Sequence, residues 1–154
     1  MTAEGSSDLI CMRPIGTVQN DVNAPKHAGW SEVVSQIVLR PELEEMLDGI
    51  EEFSHLDVLF WLDRLPEDDF AQIHPRDRQD LPLVGVLATR TQYRPNPIAV
   101  TTVRLLSRSG TTLTVKGLDA LNGTPVLDLK PYVPIYEPSE GVIVAEWVTK
   151  IQPY

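Results

Sequence analysis

Two short stretches of the sequence carry the side chains best suited to chemistry. In Thr89-Arg90-Thr91-Gln92-Tyr93-Arg94-Pro95-Asn96-Pro97-Ile98, the two prolines fix their own φ and push the residues before them, Arg94 and Asn96, towards extended backbone. Side chains on so stiff a loop are set before any ligand arrives, although the same stiffness would serve a plain structural corner. Arginine forks match carboxylate and phosphate oxygens, so the ligand chemistry indicated is anionic. The second stretch, Gly117-Leu118-Asp119-Ala120-Leu121-Asn122-Gly123-Thr124-Pro125, is a turn whose glycine lets backbone approach a flat ligand closely. It leads into Asp128-Leu129-Lys130-Pro131-Tyr132, and on a plainer reading it is a hairpin with a good turn.

Spacing removes several familiar sites. The nine glycines stand at positions 5, 16, 29, 49, 85, 110, 117, 123 and 141, and no pair has the offset of two or five that G-x-G-x-x-G or a Walker A loop needs. A G-x-S-x-G elbow fails for the same reason. His27, His55 and His74 form no H-E-x-x-H, and with Cys11 as the single cysteine there is neither an internal disulfide nor material for a structural zinc site. No metal is expected.

The net charge of −9 argues at first against a nucleic-acid partner. Its distribution is uneven. Residues 1–75 hold four basic and 15 acidic side chains, a balance of −11, whereas residues 76–154 hold nine and seven, a balance of +2. Arg76, Arg78, Arg90 and Arg94 fall close together in that second half, so a local anion site is compatible with an acidic chain, as are scattered solvated arginines.

These residues need a scaffold, and 154 residues with 42% apolar content suffice for one packed domain. No apolar run approaches the roughly 20 residues that span a bilayer, and no signal core follows the N-terminus, so a cytoplasmic protein without membrane contact is expected. Residues 1–12 read as a flexible terminal segment and 13–154 as one domain. Ile15–Gln19, Glu32–Leu39, His55–Leu62, Val84–Thr89, Ile98–Leu106, Thr112–Gly117, Val126–Leu129 and Val142–Val148 read as strands, with His55–Leu62 apolar on both faces and hence central. Pro41–Leu47 has the proline, acidic first turn and following Gly49 of a short helix. Residues 63–82 form a long charged loop, with Glu67-Asp68-Asp69 as a solvated turn. Ser109-Gly110 and Asn122-Gly123 predict antiparallel hairpins. The fold class is mainly β: a small antiparallel or mixed β-barrel with one or two short helices and a long loop.

The segments Gly85-Val86-Leu87-Ala88-Thr89-Arg90, Arg94-Pro95-Asn96-Pro97-Ile98 and Asp119 through Tyr132 closely resemble the TsaA-like, or TrmO-type, tRNA methyltransferase family. Pro14-Ile15-Gly16, Pro25-Lys26-His27 and Gly49-Ile50-Glu51-Glu52-Phe53-Ser54-His55 with Val58-Leu59-Phe60 are similar to that family's opening strand, ligand loop and pre-strand motif. The likeness runs over residues 13–137 in order.

The resemblance implies a small β-barrel enzyme, usually a homodimer, that uses S-adenosylmethionine outside any Rossmann fold. It would methylate N6 of threonylcarbamoyl-adenosine, the modified base 3′ of the anticodon in certain tRNAs. By motif position the methyl donor would be touched by Pro25, Lys26 and His27, by Asp63 and Arg64, by Arg90, by Val100, and by Leu121, Asn122, Gly123 and Thr124. Arg94, Arg76 and Lys130 would face the acceptor, whose threonyl carboxylate suits an arginine fork. Asp128 is the leading base, with Asn96 and Tyr132 beside it, and pairing of Asp128 with Lys130 is the alternative. The chain departs from the family pattern at His27 (usually glutamine), Asp63 (often histidine), Leu87 (phenylalanine), Ala99 (glycine) and Asn122 (aspartate). Longer members add a C-terminal domain associated with tRNA recognition, so the donor side is expected to be better represented here than the acceptor side. Two further readings remain open: methyl transfer to a small molecule, and a ligand-binding sensor that keeps only the donor pocket.

Overall fold

The computed structural model describes residues 8–67 and 70–151. Residues 1–7 of the expected flexible terminus, and Asp68 and Asp69 of the expected solvated turn, lie outside the described residues. Residues 9–12 are exposed and carry no regular structure.

Among the described residues eight strands follow in order: β1 (Gly16–Gln19), β2 (Val34–Leu39), β3 (His55–Trp61), β4 (Gln72–Ile73), β5 (Val84–Gly85), β6 (Ile98–Ser109), β7 (Thr112–Lys116) and β8 (Pro125–Pro131). Six of them close into a barrel in the order β1-β2-β7-β6-β3-β8, every pairing antiparallel, while β4 and β5 make a separate two-stranded ribbon. The mainly-β expectation holds, with no parallel pair among the described residues. Alternation explains the interior: Val18, Ile37, Leu56, Val58, Phe60, Val103, Leu113, Val115 and Val126 point inward and are almost fully buried. β3 pairs with β6 over seven positions and with β8 on its other side, but because the ring is closed every barrel strand has two neighbours and none is central as expected for His55–Leu62.

Gly16 is required by close packing. A Cβ there would stand 2.4 Å from the Val38 carbonyl oxygen across the β1–β2 pair. The Ser109-Gly110 turn joins β6 to β7 as a hairpin, with Ser109 opposite Thr112.

Pro41–Leu47 is the expected short helix, wound as a 3-10 helix; Arg40 precedes it in extended backbone and supplies no side-chain cap. Three local expectations need correction. Val84–Thr89 pairs only at Val84 and Gly85 and then winds into a 3-10 turn over Val86–Ala88, because its partner strand is just Gln72–Ile73. The turn at Asn122-Gly123 does not close a β7–β8 hairpin, since β8 enters the ring between β1 and β3. Finally, Val142–Val148 forms no strand: its start is irregular and Glu146–Lys150 is a 3-10 turn. Among the described residues no helix is long and apolar enough to cross a membrane.

Candidate functional site

The predicted residues gather in two places on the barrel. In the first, β3 ends at Trp61, the Leu62 amide donates to the Pro97 carbonyl (2.9 Å), and the chain turns through Asp63 and Arg64. The Arg64 fork reaches across to the turn after Ala120. Its Nη2 donates to the Asn122 carbonyl at 2.7 Å and to Thr124 Oγ1 at 3.4 Å, and its Nε lies 3.3 Å from Asp63 Oδ1. The turn is itself zipped to β1, because Gly123 N donates to Val18 O (2.7 Å) and Val18 N to Thr124 O (2.9 Å). Gly123 holds φ at 84°, and a Cβ there would come 3.8 Å from Arg64 Nη2, so backbone stands open beside the guanidinium.

Asn122 ties this turn to the loop after β1. Its backbone N donates to Val22 O (2.8 Å), its Oδ1 accepts from Asn20 N (3.2 Å) and its Nδ2 donates to Asn23 Oδ1 (3.2 Å). A carboxylate could make the second of these contacts but not the third, so asparagine at 122 serves the loop as found here. Pro25, Lys26 and His27 follow directly. Pro25 and His27 are exposed, while Lys26 folds over its own loop, its Nζ 4.8 Å above the Trp30 ring and 3.2 Å from the Gly29 carbonyl. The Trp30 indole returns a bond to Lys26 O (3.1 Å), fixing the loop on a buried ring.

The second place is the outward face of β6, β3 and β8. Val100 and Asp128 both stand opposite Leu59, and Thr102 and Lys130 both stand opposite Asp57. Arg90 arrives from the preceding loop, Nη2 3.4 Å from the Val100 carbonyl. A concavity of about 290 Å³ is lined by Asp57, Arg90, Val100, Thr102, Tyr132 and Glu137. Thr102 Oγ1 donates to Asp57 Oδ1 within it. Asp128 is engaged: Lys130 Nζ lies 2.9 Å from Oδ2, and Leu129 N donates to Oδ1 at 2.9 Å. The hydrogen bond to Asp128 lifts the Lys130 ammonium above its ordinary pKa. Between the two clusters the β3–β8 register slips at Leu59/Phe60, and this bulge re-aims β8 where Asp128 emerges.

Three predicted residues fall outside both groups. Arg94 does not turn outward; its Nη1 donates to the carbonyls of Thr89 (2.8 Å) and Thr91 (3.2 Å), bracing the loop that carries Arg90. Asn96 is exposed, and its carbonyl accepts from Ile98 N (2.7 Å) at the start of β6. Arg76 occupies left-handed backbone (φ 53°) beside Asp77 (φ 55°), a strained pair for residues with a Cβ.

Sequence reasoning missed Asp57, Thr102 and Glu137. The first two alternate outward with Leu59 and Val100, a period-two signal that identifies them once the β3–β6 register is known. A larger hollow of about 570 Å³ borders Asn122 and includes Asn20, Ser35 and Gln36. Its Asn20 amide is already engaged with Ser35 Oγ, Ala120 O and Val22 N. Among the described residues no three His, Cys, Asp or Glu side chains converge as a metal site would require.

Residues 16–137 match the family described as tRNA-methyltransferase O N-terminal domain. A probable S-adenosyl-L-methionine-binding protein of Archaeoglobus fulgidus is 44% identical over 128 residues, 80% of this chain and 34% of that protein. The chain therefore spans about a third of that relative's length. A mouse tRNA (adenine(37)-N6)-methyltransferase is 36% identical over 102 residues, 66% of this chain and 23% of the mouse protein. The crystal structure of TrmO from Pseudomonas aeruginosa superposes with a TM-score of 0.70 at 28% identity, covering 90% of this chain and 62% of that one. A family match running from β1 to just beyond β8, and thus through the whole barrel and both residue clusters, places this chain in the tRNA-methyltransferase O N-terminal domain family.

Proposed function

We propose that this chain is an S-adenosylmethionine-dependent methyltransferase that modifies N6 of threonylcarbamoyl-adenosine beside the tRNA anticodon, working in the cytoplasm as a homodimer with each site near the subunit boundary. The observation that carries the reading is the Arg64 clasp on Asn122–Thr124, which joins two separate sequence stretches at one open patch of backbone, with a third, Val18–Asn23, bonded to the same turn through Asn122 and Gly123. The residues present fit the donor. It offers a carboxylate, an ammonium group, a ribose diol and a flat adenine; Arg64 matches the first, Asp63 the second or third, and the bare backbone at Gly123 admits a flat group. Pro25, Lys26, His27 and Leu121 border that patch through the loop pinned at Asn122, and Arg90 and Val100 hold the far end.

When bound, the donor supplies a methyl carbon activated by a positive sulfur and open to in-line attack. The protein's part is alignment, which contributes several kcal/mol when reacting atoms are held in register. Asp128 Oδ2 takes the N6 proton, Tyr132 shapes the acceptor side, and Lys130 meets the threonyl carboxylate, while Asn96 and Arg76, outside both clusters, take no part in the step. Arg94 acts through the Arg90 loop.

Calorimetry with S-adenosylmethionine, followed by nucleoside mass spectrometry of threonylcarbamoylated tRNA incubated with labelled donor, tests this. Donor binding and one added methyl on the modified base are expected. Absence of donor binding at millimolar concentration would end the methyltransferase reading. The engagement of Asp128 by Lys130 favours one competitor, a donor-binding protein without turnover; binding with no methyl transfer to any tRNA would establish it.

A further inference from the structure

One carboxylate stands between the two clusters and belongs to neither. Asp119, on the connector from β7 to β8, accepts a hydrogen bond from Thr101 Oγ1 through its Oδ1. Thr101 stands opposite Val58 and shares the inward side of β6 with Ala99 and Val103, so this bond is on the inner side of the sheet and not on its outward face. Leu118 and Ala120 on either side of Asp119 are buried, and Asp119 itself is half-buried. The connector is pinned on both sides of it: Gly117 N donates to Val33 O (2.9 Å), and Asn20 Nδ2 donates to Ala120 O (2.9 Å). Asp119 is thus three residues from Asn122 of the Arg64 clasp. Through Thr101 it is also next to Val100, whose carbonyl faces Arg90 Nη2 at 3.4 Å.

Its electrical surroundings set it apart from the carboxylates of the two clusters. Asp63 shares its charge with Arg64 (3.3 Å), and Asp128 with Lys130 (2.9 Å). Asp57 stands opposite Lys130, and Glu137 lines the same concavity as Arg90. Asp119 has no cation beside it among the described residues. The group bonded to it is the neutral hydroxyl of Thr101, which occupies Oδ1 and leaves Oδ2 without a protein donor. A carboxylate drawn partly out of water with no cation of its own is completed by a ligand that brings one.

We propose that Asp119 is a donor-binding residue whose free oxygen meets the positive sulfur of S-adenosylmethionine. The inference rests on the methyltransferase reading and deepens it. In that reading the donor's carboxylate lies at Arg64 and its far end at Arg90 and Val100. Sulfur is the charge midway along such a molecule, and Asp119 is the carboxylate midway between those two holds. Asp63, already paired with Arg64, is then left to the ribose diol. The same placement sorts fresh donor from spent donor. Attack by N6 forms the carbon–nitrogen bond while the carbon–sulfur pair stays on sulfur and N6 gives up its proton, so the sulfur of S-adenosylhomocysteine is neutral. Its attraction to Asp119 is gone, and the spent donor is held less tightly than the fresh one.

Calorimetry with S-adenosylmethionine and S-adenosylhomocysteine tests this on the parent, Asp119→Asn, Asp119→Ser and, for the same loss of charge at an exposed position elsewhere, Glu45→Gln. Asparagine keeps an oxygen that accepts from Thr101, so a purely structural tie survives that change while the charge does not. In Asp119→Asn the affinity for S-adenosylmethionine should fall about tenfold and that for S-adenosylhomocysteine stay within about twofold. Asp119→Ser should give the same split and Glu45→Gln should leave the ratio as in the parent. Both ligands are titrated into the same folded protein, so the ratio of affinities reads the charge even where a variant melts lower. Equal losses for the two ligands in both Asp119 variants overturn the inference and put Asp119 in the fold or beside the donor's ammonium group. No loss for either ligand, or the same split in Glu45→Gln, overturns it as well. A parent that binds neither ligand ends the methyltransferase reading and this inference with it, whereas a parent that binds both with a ratio unmoved at Asp119 leaves that reading standing and ends this one alone.

Discussion

Replacing Arg64 by alanine separates what the Arg64 clasp does for the fold from what it does for a ligand. In the protein alone the guanidinium makes a short bond to the Asn122 carbonyl (2.7 Å), a long one to Thr124 Oγ1 (3.4 Å) and a 3.3 Å contact with Asp63. Bonds to a charged group contribute about 1.5–3 kcal/mol when shielded, but the Arg64 side chain is 42% exposed, so solvent screening leaves about 1 kcal/mol. For a chain of this size that lowers the melting temperature by roughly 2–4 °C. A donor carboxylate held by the fork loses a charge-assisted pair out of contact with bulk water, and affinity should fall about 10–100-fold. Arg64→Lys should recover much of the melting temperature and little of the affinity, because a single ammonium cannot meet the Asn122 carbonyl and a carboxylate as a planar fork can. Calorimetry and thermal melts on parent, alanine and lysine forms read both quantities. If Arg64→Ala binds S-adenosylmethionine within about twofold of the parent while melting lower, on the scale where tenfold is 1.4 kcal/mol, the clasp is structural only and the donor site lies elsewhere.

Three further outcomes follow from the geometry. Gly16→Ala should destabilise the barrel by about 1–3 kcal/mol in denaturant titration, because its Cβ would meet the Val38 carbonyl at 2.4 Å; a midpoint equal to the parent's would show that β1 and β2 separate at no cost. Arg94→Ala should reduce the effect of a subsequent Arg90→Ala on donor affinity, since Arg94 braces the Thr89 and Thr91 carbonyls on either side of Arg90; additive losses in the double variant would count against that coupling. The Arg78 hydrogen bond holds the Asp80 carboxyl below its ordinary range, so its contribution is complete above the unfolded value of about 3.9 and is lost only as pH falls through the lowered folded value. Arg78 Nη1 also donates to the Lys150 carbonyl at 2.7 Å, so amide exchange over residues 146–151, corrected for intrinsic rates, should stay constant down to the ordinary carboxylate range and accelerate below it, and acceleration near neutrality would assign the hold on that segment to another group.

The strands that line the barrel were legible because each combines period-two apolar residues with turn signals at its ends: Val18, Ile37, Leu56-Val58-Phe60 and Leu113-Val115 all face inward as their alternation demands. What alternation lacks is a partner. Val84–Thr89 and Val142–Val148 have strand composition, yet the first finds only two residues to pair with and the second finds none, since ring closure depends on β8 entering between β1 and β3. The same long-range fact hid part of the site. Asp57 and Thr102 lie 45 positions apart and become neighbours only through the β3–β6 register, and Glu137 joins them from beyond β8.

Motif residues fared differently according to how local their constraint is. The prolines around Asn96 do stiffen the chain, but stiffness does not say which way an arginine points, and Arg94 finds two carbonyls within its own loop before it finds solvent. Asn122 shows the reverse. Its sequence position marked a departure at a ligand turn, whereas its three bonds to the 20–23 loop show that an amide there joins the Pro25–His27 loop to the Arg64 clasp. At position 122 the amide accepts from Asn20 and donates to Asn23, so the connection between the two loops is made here without charge. The proposed donor patch would thus be set by a neutral link between two loops, and the charges facing a ligand across it would be left to Asp63 and Arg64.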